Sequence, residues 1–281
     1  MRLILLTLFA LTAFAANSVL TRSALALDQI GPGAFMAVRL ASGAVMLAAL
    51  VAFRGGLRSM LRHGSVLSAA SLLLYAVAFS FAYVTLDAGL GALILFGGVQ
   101  ITMFAGAVIK GERPAPARWI GSLLGMIGLG ILFAPGATSP DLWGAMLMIF
   151  SAIGWGGYSL RGRSVSAPLR TTASNFLFIA PFGVIIWLLI PSDVEATLNG
   201  VLLAVTSGAL ASGIGYAVWY ATLPKLDSSL AAILQLTVPI IALVGGIVFL
   251  GEPMTWAFVV SATLIMGGVF IAILAPKKAS R

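Results

Sequence analysis

Residues 86–112 read LDAGLGALILFGGVQITMFAGAVIKGE, and residues 226–252 read LDSSLAAILQLTVPIIALVGGIVFLGE. Each stretch opens on Leu-Asp, closes on Gly-Glu and is apolar between. At 1.5 Å per residue, either one crosses a ~30 Å hydrocarbon core as a helix. Laid over one another, Leu86-Asp87 meets Leu226-Asp227, Leu90 meets Leu230, Ala92 meets Ala232 and Gly106 meets Gly246. Val108 then meets Val248, Gly111-Glu112 meets Gly251-Glu252, and the register continues through Met126 and Gly128 to Met266 and Gly268. A duplicated membrane unit is therefore expected, with one copy in residues 1–135 and the other in 136–281.

Composition agrees with a membrane chain. Of 281 residues, 60% are hydrophobic and 9% charged, against about 25% charged in soluble domains. Spans are expected at 3–21, 33–53, 66–83, 89–109, 119–133, 142–160, 172–190, 201–221, 229–250 and 256–274. The opening Met1-Arg2 and Leu3–Ala15, with Ala13-Phe14-Ala15-Ala16 behind, imitates a signal peptide. It is read here as the first span, because the repeat requires it.

Lys and Arg collect on one side of these spans: Arg2, Arg54, Arg58, Arg62, Lys110, Arg113, Arg118, Arg161, Arg163, Arg170, Lys225, Lys277, Lys278 and Arg281. Only Arg22 falls on the other, and Arg39 lies within a span. The positive-inside rule then places both termini in the cytoplasm of a bacterial inner membrane. With five spans per half, the two copies enter the membrane in opposite senses. The expected fold is all-α and integral to the membrane: ten transmembrane helices as two inverted repeats around a central cavity. Such halves can exchange conformations and expose a midplane site alternately to each side.

The ordered motifs carry a resemblance. They are Gly111-Glu112-Arg113-Pro114, Gly251-Glu252-Pro253-Met254, Gly154-Trp155-Gly156-Gly157, the mid-span Pro239 and Arg39. In these the chain resembles the drug/metabolite transporter superfamily, in its class of two EamA-type repeats, and within it the YddG-type exporters of aromatic amino acids. The resemblance implies a cavity lined mainly by spans three, four, eight and nine, and export of an amino acid. Val99 where the second copy has Pro239, and Phe14-Ala15-Ala16-Asn17 in place of the tryptophan-glycine pattern, depart from it.

Candidate binding residues follow from the residue chemistry. Pro239 removes the helical partner of the Gln235 carbonyl, leaving an acceptor beside the Gln235 side chain and Thr237. In the matching span, Gly97 and Gly98 stand next to Gln100 and Thr102, so Gly97, Gly98 and Pro239 are candidate hinges. Tyr75, Phe79 and Tyr83 share one helical face, as do Tyr216 and Tyr220 with Trp219 beside them, while Trp155 and Tyr158 add to the aromatic set. Tyrosine can stack and hydrogen-bond, although near span ends it also serves as an interfacial anchor, the plainer reading for Tyr83 and Tyr220. Three readings stand open for Arg39: a partner for a substrate carboxylate, a tie to Asp28 or Asp87, or a snorkelling side chain. The runs around Gly121, Gly125 and Gly128, and Gly267-Gly268, read as close helix packing.

Absences narrow the function. There is no cysteine, one loop histidine (His63), no Walker sequence and no acid within a span. The pattern offers no cofactor, no metal site and no nucleotide-driven motor, and the dispersed basic charge does not form a nucleic-acid stripe. An intramembrane enzyme lacks any nucleophile or dyad here. A neutral, polar-aromatic cavity suits a zwitterionic amino acid or similar small metabolite, with the lipid bilayer as surroundings and a monomer as the expected unit. A broad drug exporter of the same superfamily is the alternative substrate reading.

Overall fold

The computed structural model describes residues 1–56, 60–132, 141–252, 254 and 256–274. Arg58, Lys277, Lys278, Arg281, Pro253, the end of the fifth expected span at Phe133 and the boundary between the expected halves lie outside these. Among the described residues, every regular element is helical. The helices are α1 (Arg2–Ala26), α2 (Pro32–Phe53), α3 (Val66–Ala82), α4 (Ala88–Ile109) and α5 (Pro116–Leu132). They continue as α6 (Leu142–Gly162), α7 (Pro168–Leu189), α8 (Leu198–Lys225), α9 (Ser228–Leu250) and α10 (Trp256–Ile273). Six of them, α1, α2, α4, α7, α8 and α9, are long and apolar enough to cross a membrane, and α3 and Val259–Ile273 are shorter apolar helices.

Polarity is distributed inside out. On α1 the buried face carries Thr7, Asn17, Ser18 and Thr21, while Ile4, Leu5, Leu8 and Phe9 are exposed. Water would drive the opposite arrangement. In hydrocarbon an exposed leucine costs nothing, and a hydroxyl or amide must find partners inside the bundle.

Small residues then set how closely the helices approach. A Cβ built on Gly154 of α6 would stand 2.7 Å from the backbone oxygen of Ser71 and 2.7 Å from the amide of Tyr75 on α3. Both are backbone atoms and cannot swing aside. Gly121 of α5 meets the Gly268 carbonyl of α10 with similar intimacy, as the packing reading of those runs expected. Gly154→Val is therefore expected to force α3 and α6 apart, at about the 1–3 kcal/mol typical of overpacking. A lowered melting temperature in detergent, by scanning fluorimetry, would report it; an unchanged one would contradict the close approach.

Two helices are locally irregular. α8 widens to π-helix over Ser207–Ile214. α9 breaks at Leu236 and Thr237 just before Pro239, which sits in the first turn of the following segment, Val238–Gly245.

Candidate functional site

Arg39 occupies the second turn of α2 and is 1% exposed. From the start of the helix it lies about 10 Å deep at 1.5 Å per residue. Its Nε donates to Ser212 Oγ of α8 at 3.1 Å, and Nη2 donates to the hydroxyls of Tyr75 (α3, 3.0 Å) and Tyr216 (α8, 2.9 Å). The guanidinium carbon lies 4.7 Å from the Phe79 ring centroid and 5.3 Å from that of Tyr75. Nη1 has no hydrogen-bond partner. All eight acidic side chains of the chain are among the described residues, and none forms an ion pair with Arg39. Asp87 pairs instead with Arg22 at 3.1 Å, so the tie to an outer acid, one of the three readings open for Arg39, is not made. A buried cation with no counter-charge and one idle donor fork is costly. It is complementary to a planar anion such as a carboxylate.

Around the arginine the polar partners satisfy one another. The Tyr75 and Tyr216 hydroxyls lie 2.7 Å apart, and the Asn17 amide of α1 donates to both, at 3.1 and 3.4 Å. Ser207 in turn donates to the Asn17 side-chain oxygen, Oδ1. The π-helical stretch explains how Ser207 and Ser212 both reach this cluster. Five residues advance an α-helix well past a full turn, whereas the wider π turn brings i and i+5 onto one face.

Aromatic rings wall the cluster. Trp155 of α6 lies 4.5 Å from Tyr216, 5.1 Å from Tyr75 and 5.1 Å from Phe14, centroid to centroid. Its Nε1 donates to Gln235 Oε1 of α9 at 2.7 Å, and Gln235 Nε2 in turn approaches Met103 Sδ at 3.1 Å. Gln235 thus joins the same assembly. Trp219 packs edge-on to Phe14 and donates to Ser159, and Tyr158 stacks against Tyr220 one layer further along. Tyr83 and Tyr220, near the ends of their helices, are fully buried among them.

Other candidates sit elsewhere. Gln100 donates to the Ser122 carbonyl and hydroxyl of α5, on the flank of the bundle away from Arg39, although its Oε1 has no partner. The Thr237 hydroxyl is tied to the Leu234 carbonyl of its own helix. α4 runs unbroken through Gly97 and Gly98, and a Cβ on Gly98 would stand 2.6 Å from Ala152 of α6, so the close approach there is packing. Only α9 carries an interruption at the matching depth. Sequence reasoning passed over Phe14, Asn17, Ser207 and Ser212. The available signal was Asn17 itself, a lone amide in an apolar span.

The two Gly-Glu motifs form a reciprocal pair. Gly111 (φ 83°) and Gly251 (φ 68°) adopt the left-handed conformation open to glycine, turning the chain sharply at the ends of α4 and α9. Each following glutamate then reaches the start of the other helix. Glu112 accepts from the Ser228 and Ser229 amides at the head of α9, at 3.1 and 3.2 Å. Glu252 accepts from the Ala88 and Gly89 amides at the head of α4, at 2.8 and 3.5 Å. A carboxylate at a helix N-terminus satisfies orphan N–H groups and the dipole. The two ends differ in charge. Glu112 lies 3.5 Å from Arg118 and 3.7 Å from Arg163, whereas Glu252 has Asp87 and Arg22 as its charged neighbours. Burial holds the Glu252 carboxyl above the ordinary glutamate range; Asp87 adds to the rise, and the Ala88 and Gly89 amides and Arg22 oppose it.

The model of the EamA-like transporter family matches residues 142–274. An uncharacterized protein of Pseudomonas aeruginosa is 44% identical, over 98% of this chain and 96% of its own. A probable amino-acid metabolite efflux pump of Escherichia coli is 25% identical, over 76% of each chain. A solved crystal structure, 21% identical, superposes with a TM-score of 0.76 over 96% of this chain and 99% of its own, and shares the fold. Apolar helices turned inside out and a buried, polar-aromatic interior accord with these matches, and residues 142–274 are similar to the EamA-like transporter family.

Proposed function

We propose that the chain is a bacterial inner-membrane exporter of zwitterionic amino acids, aromatic or otherwise neutral, working by alternating access between two inverted five-helix repeats, residues 1–135 and 136–281, with both termini in the cytoplasm. The observation that carries this reading is the unneutralised Arg39. Its idle Nη1 and the displaceable Tyr75 and Tyr216 hydroxyls suit a substrate carboxylate. The Trp155, Phe79 and Phe14 faces suit an ammonium or an aromatic side chain, and Gln235 supplies a neutral acceptor. Two relatives bearing the name probable amino-acid metabolite efflux pump support the substrate class. Repeat layout is supported by the matching Leu-Asp and Gly-Glu ends of α4 and α9 and by their exchange of carboxylate caps.

In this reading the described conformation is closed on both sides. Both glutamate caps are engaged, and side chains cover Arg39. A substrate enters only when one cap releases and the α4–α9 pair reopens toward that side. The break before Pro239 gives α9 the looser backbone.

The test is uptake of labelled amino acids into proteoliposomes, with and without a pH gradient. Saturable movement of aromatic amino acids is expected. Gln235→Leu is expected to raise KM about tenfold, by removing the Trp155 anchor and the acceptor together, a loss of roughly 1.4 kcal/mol. Transport of none of the amino acids by folded protein would end this substrate class. Unchanged kinetics in Gln235→Leu would remove Gln235 from the site.

A further inference from the structure

A second feature lies apart from the Arg39 cluster. At the end of the bundle where α1 begins, a cavity of about 570 Å³ is lined by Arg2 and Leu6 of α1, Leu50, Val51 and Arg54 of α2, and Arg170 of α7, with α8 as its floor. α1 and α2 make little contact with each other, and α8 packs behind both. Ile214, Ala217, Val218 and Ala221 form that floor, a depth of about 10 Å along the helix at 1.5 Å per residue. The groove thus has an aliphatic body and a mouth carrying three guanidinium groups.

Among the described residues those charges have no acidic counterpart. All eight acids of the chain are described, and the ion pairs among the described residues use Arg22, Arg118 and Arg163, never Arg2, Arg54 or Arg170. Gly55 (φ 68°) turns the chain at the end of α2, and the Arg170 side chain lies against the following Gly56. That turn sets Arg54 and Arg170 at one mouth without a carboxylate between them. Like charges gathered over an apolar slot call for an amphipathic anion.

We propose that this groove is a binding site for a phospholipid with a net anionic headgroup, of the phosphatidylglycerol type, its phosphate on Arg2, Arg54 and Arg170 and an acyl chain along Leu6, Leu50, Val51 and Val218. A zwitterionic headgroup brings its own ammonium against three cations and is discriminated against. The deep end is Ile214, the last residue of the π-helical stretch that carries Ser207 and Ser212. An occupied groove therefore braces the back of the segment that holds Asn17 and Arg39.

The site is independent of the transported substrate and is tested without it. Purified protein is mixed with phosphatidylglycerol or phosphatidylethanolamine, retained lipid is counted by native mass spectrometry, and the melting temperature is read alongside. Wild type is expected to keep phosphatidylglycerol at least tenfold better than phosphatidylethanolamine and to melt higher with it. Glycerol phosphate, with no chains, is expected to give no shift. The triple variant Arg2→Gln, Arg54→Gln, Arg170→Gln is expected to lose the preference; a control triple of exposed cations on the same side, Lys110→Gln, Arg113→Gln, Lys225→Gln, is expected to keep it. Should the first triple fail to fold, Val218→Trp fills the floor with all charges intact and is expected to lose retention as well. Retention unchanged in the groove variants, lost equally in the control, or equal for both lipids overturns the proposal.

Discussion

Replacing Arg39 by leucine is expected to reduce amino acid transport at least a hundredfold while leaving the melting temperature equal to or above that of the wild type. The two halves of this result have separate causes. Transport falls because a buried charge-assisted hydrogen bond contributes about 1.5–3 kcal/mol, and a carboxylate on Nη1 and Nη2 would lose two of them. Stability holds because the folded protein sequesters this guanidinium without any carboxylate, and removing an uncompensated buried charge relieves a desolvation cost. The hydroxyls left behind are not orphaned, since Tyr75, Tyr216 and Asn17 already bond to one another. Arg39→Lys keeps the charge but not the planar fork, and is expected to recover only part of the activity. A purely structural arginine gives the opposite pattern: a lower melting temperature, with transport by surviving protein unaffected. Comparing an amino acid with its carboxamide sharpens the test. The preference for the carboxylate should be strong in the wild type and nearly absent in the leucine variant.

The helices and the site were not equally legible in the sequence. Apolar length fixes α1, α2 and α4, because the bilayer sets a minimum and charge is excluded from it. Tyr75 and Phe79 were legible as one face of α3, and Tyr216 and Tyr220 as one face of α8, because helical period places residues four apart on one side. Ser207 and Ser212 were not, since five residues apart is the wrong spacing for an α-helix and nothing in SGALASGI announces a π turn. The direction in which Gln100 points was not legible for a related reason. The residue is a candidate for standing next to Gly97 and Gly98 in the span that matches α9, yet rotation about the helix axis points it at Ser122. Spacing gives depth reliably, but which way a polar residue faces depends on the neighbouring helix. The span-end positions of Glu112 and Glu252 make capping or loop contacts the plain reading of the sequence, and capping is what both make. Their exchange between α4 and α9 becomes visible only when the two helices lie side by side.

That exchange gives the second large effect. The chain has no cysteine, so single cysteines report cleanly on access to either side. Ala92 and Ala232, both fully buried, lie just inside the two caps at matching positions. Glu252→Ala removes the carboxylate that accepts from the Ala88 and Gly89 amides at the head of α4, a loss of about 0.5–2 kcal/mol by analogy with N-caps. It is expected to speed thiol labelling of Ala92→Cys several-fold from outside and to slow that of Ala232→Cys from inside. Glu112→Ala should do the reverse. Glu252→Gln separates charge from contact, because an amide oxygen still accepts from Ala88 while mimicking the protonated acid. The direction with pH follows from linkage. In the closed state the Glu252 carboxyl titrates above its ordinary 4.5; once the cap opens to water it returns toward that value. The closed state therefore binds the proton more tightly, and its advantage is complete below the ordinary value and lost as pH rises through the raised one. External acidification should slow labelling of Ala92→Cys, and Glu252→Gln should label slowly at every pH. Faster labelling on acidification, or a pH slope that survives Glu252→Gln, would show that another group governs the outer gate. With the expected sign, a proton on Glu252 holds the empty transporter shut, and this carboxyl, beside Asp87 at the head of α4, would link pH on that side to the opening of the site around Arg39.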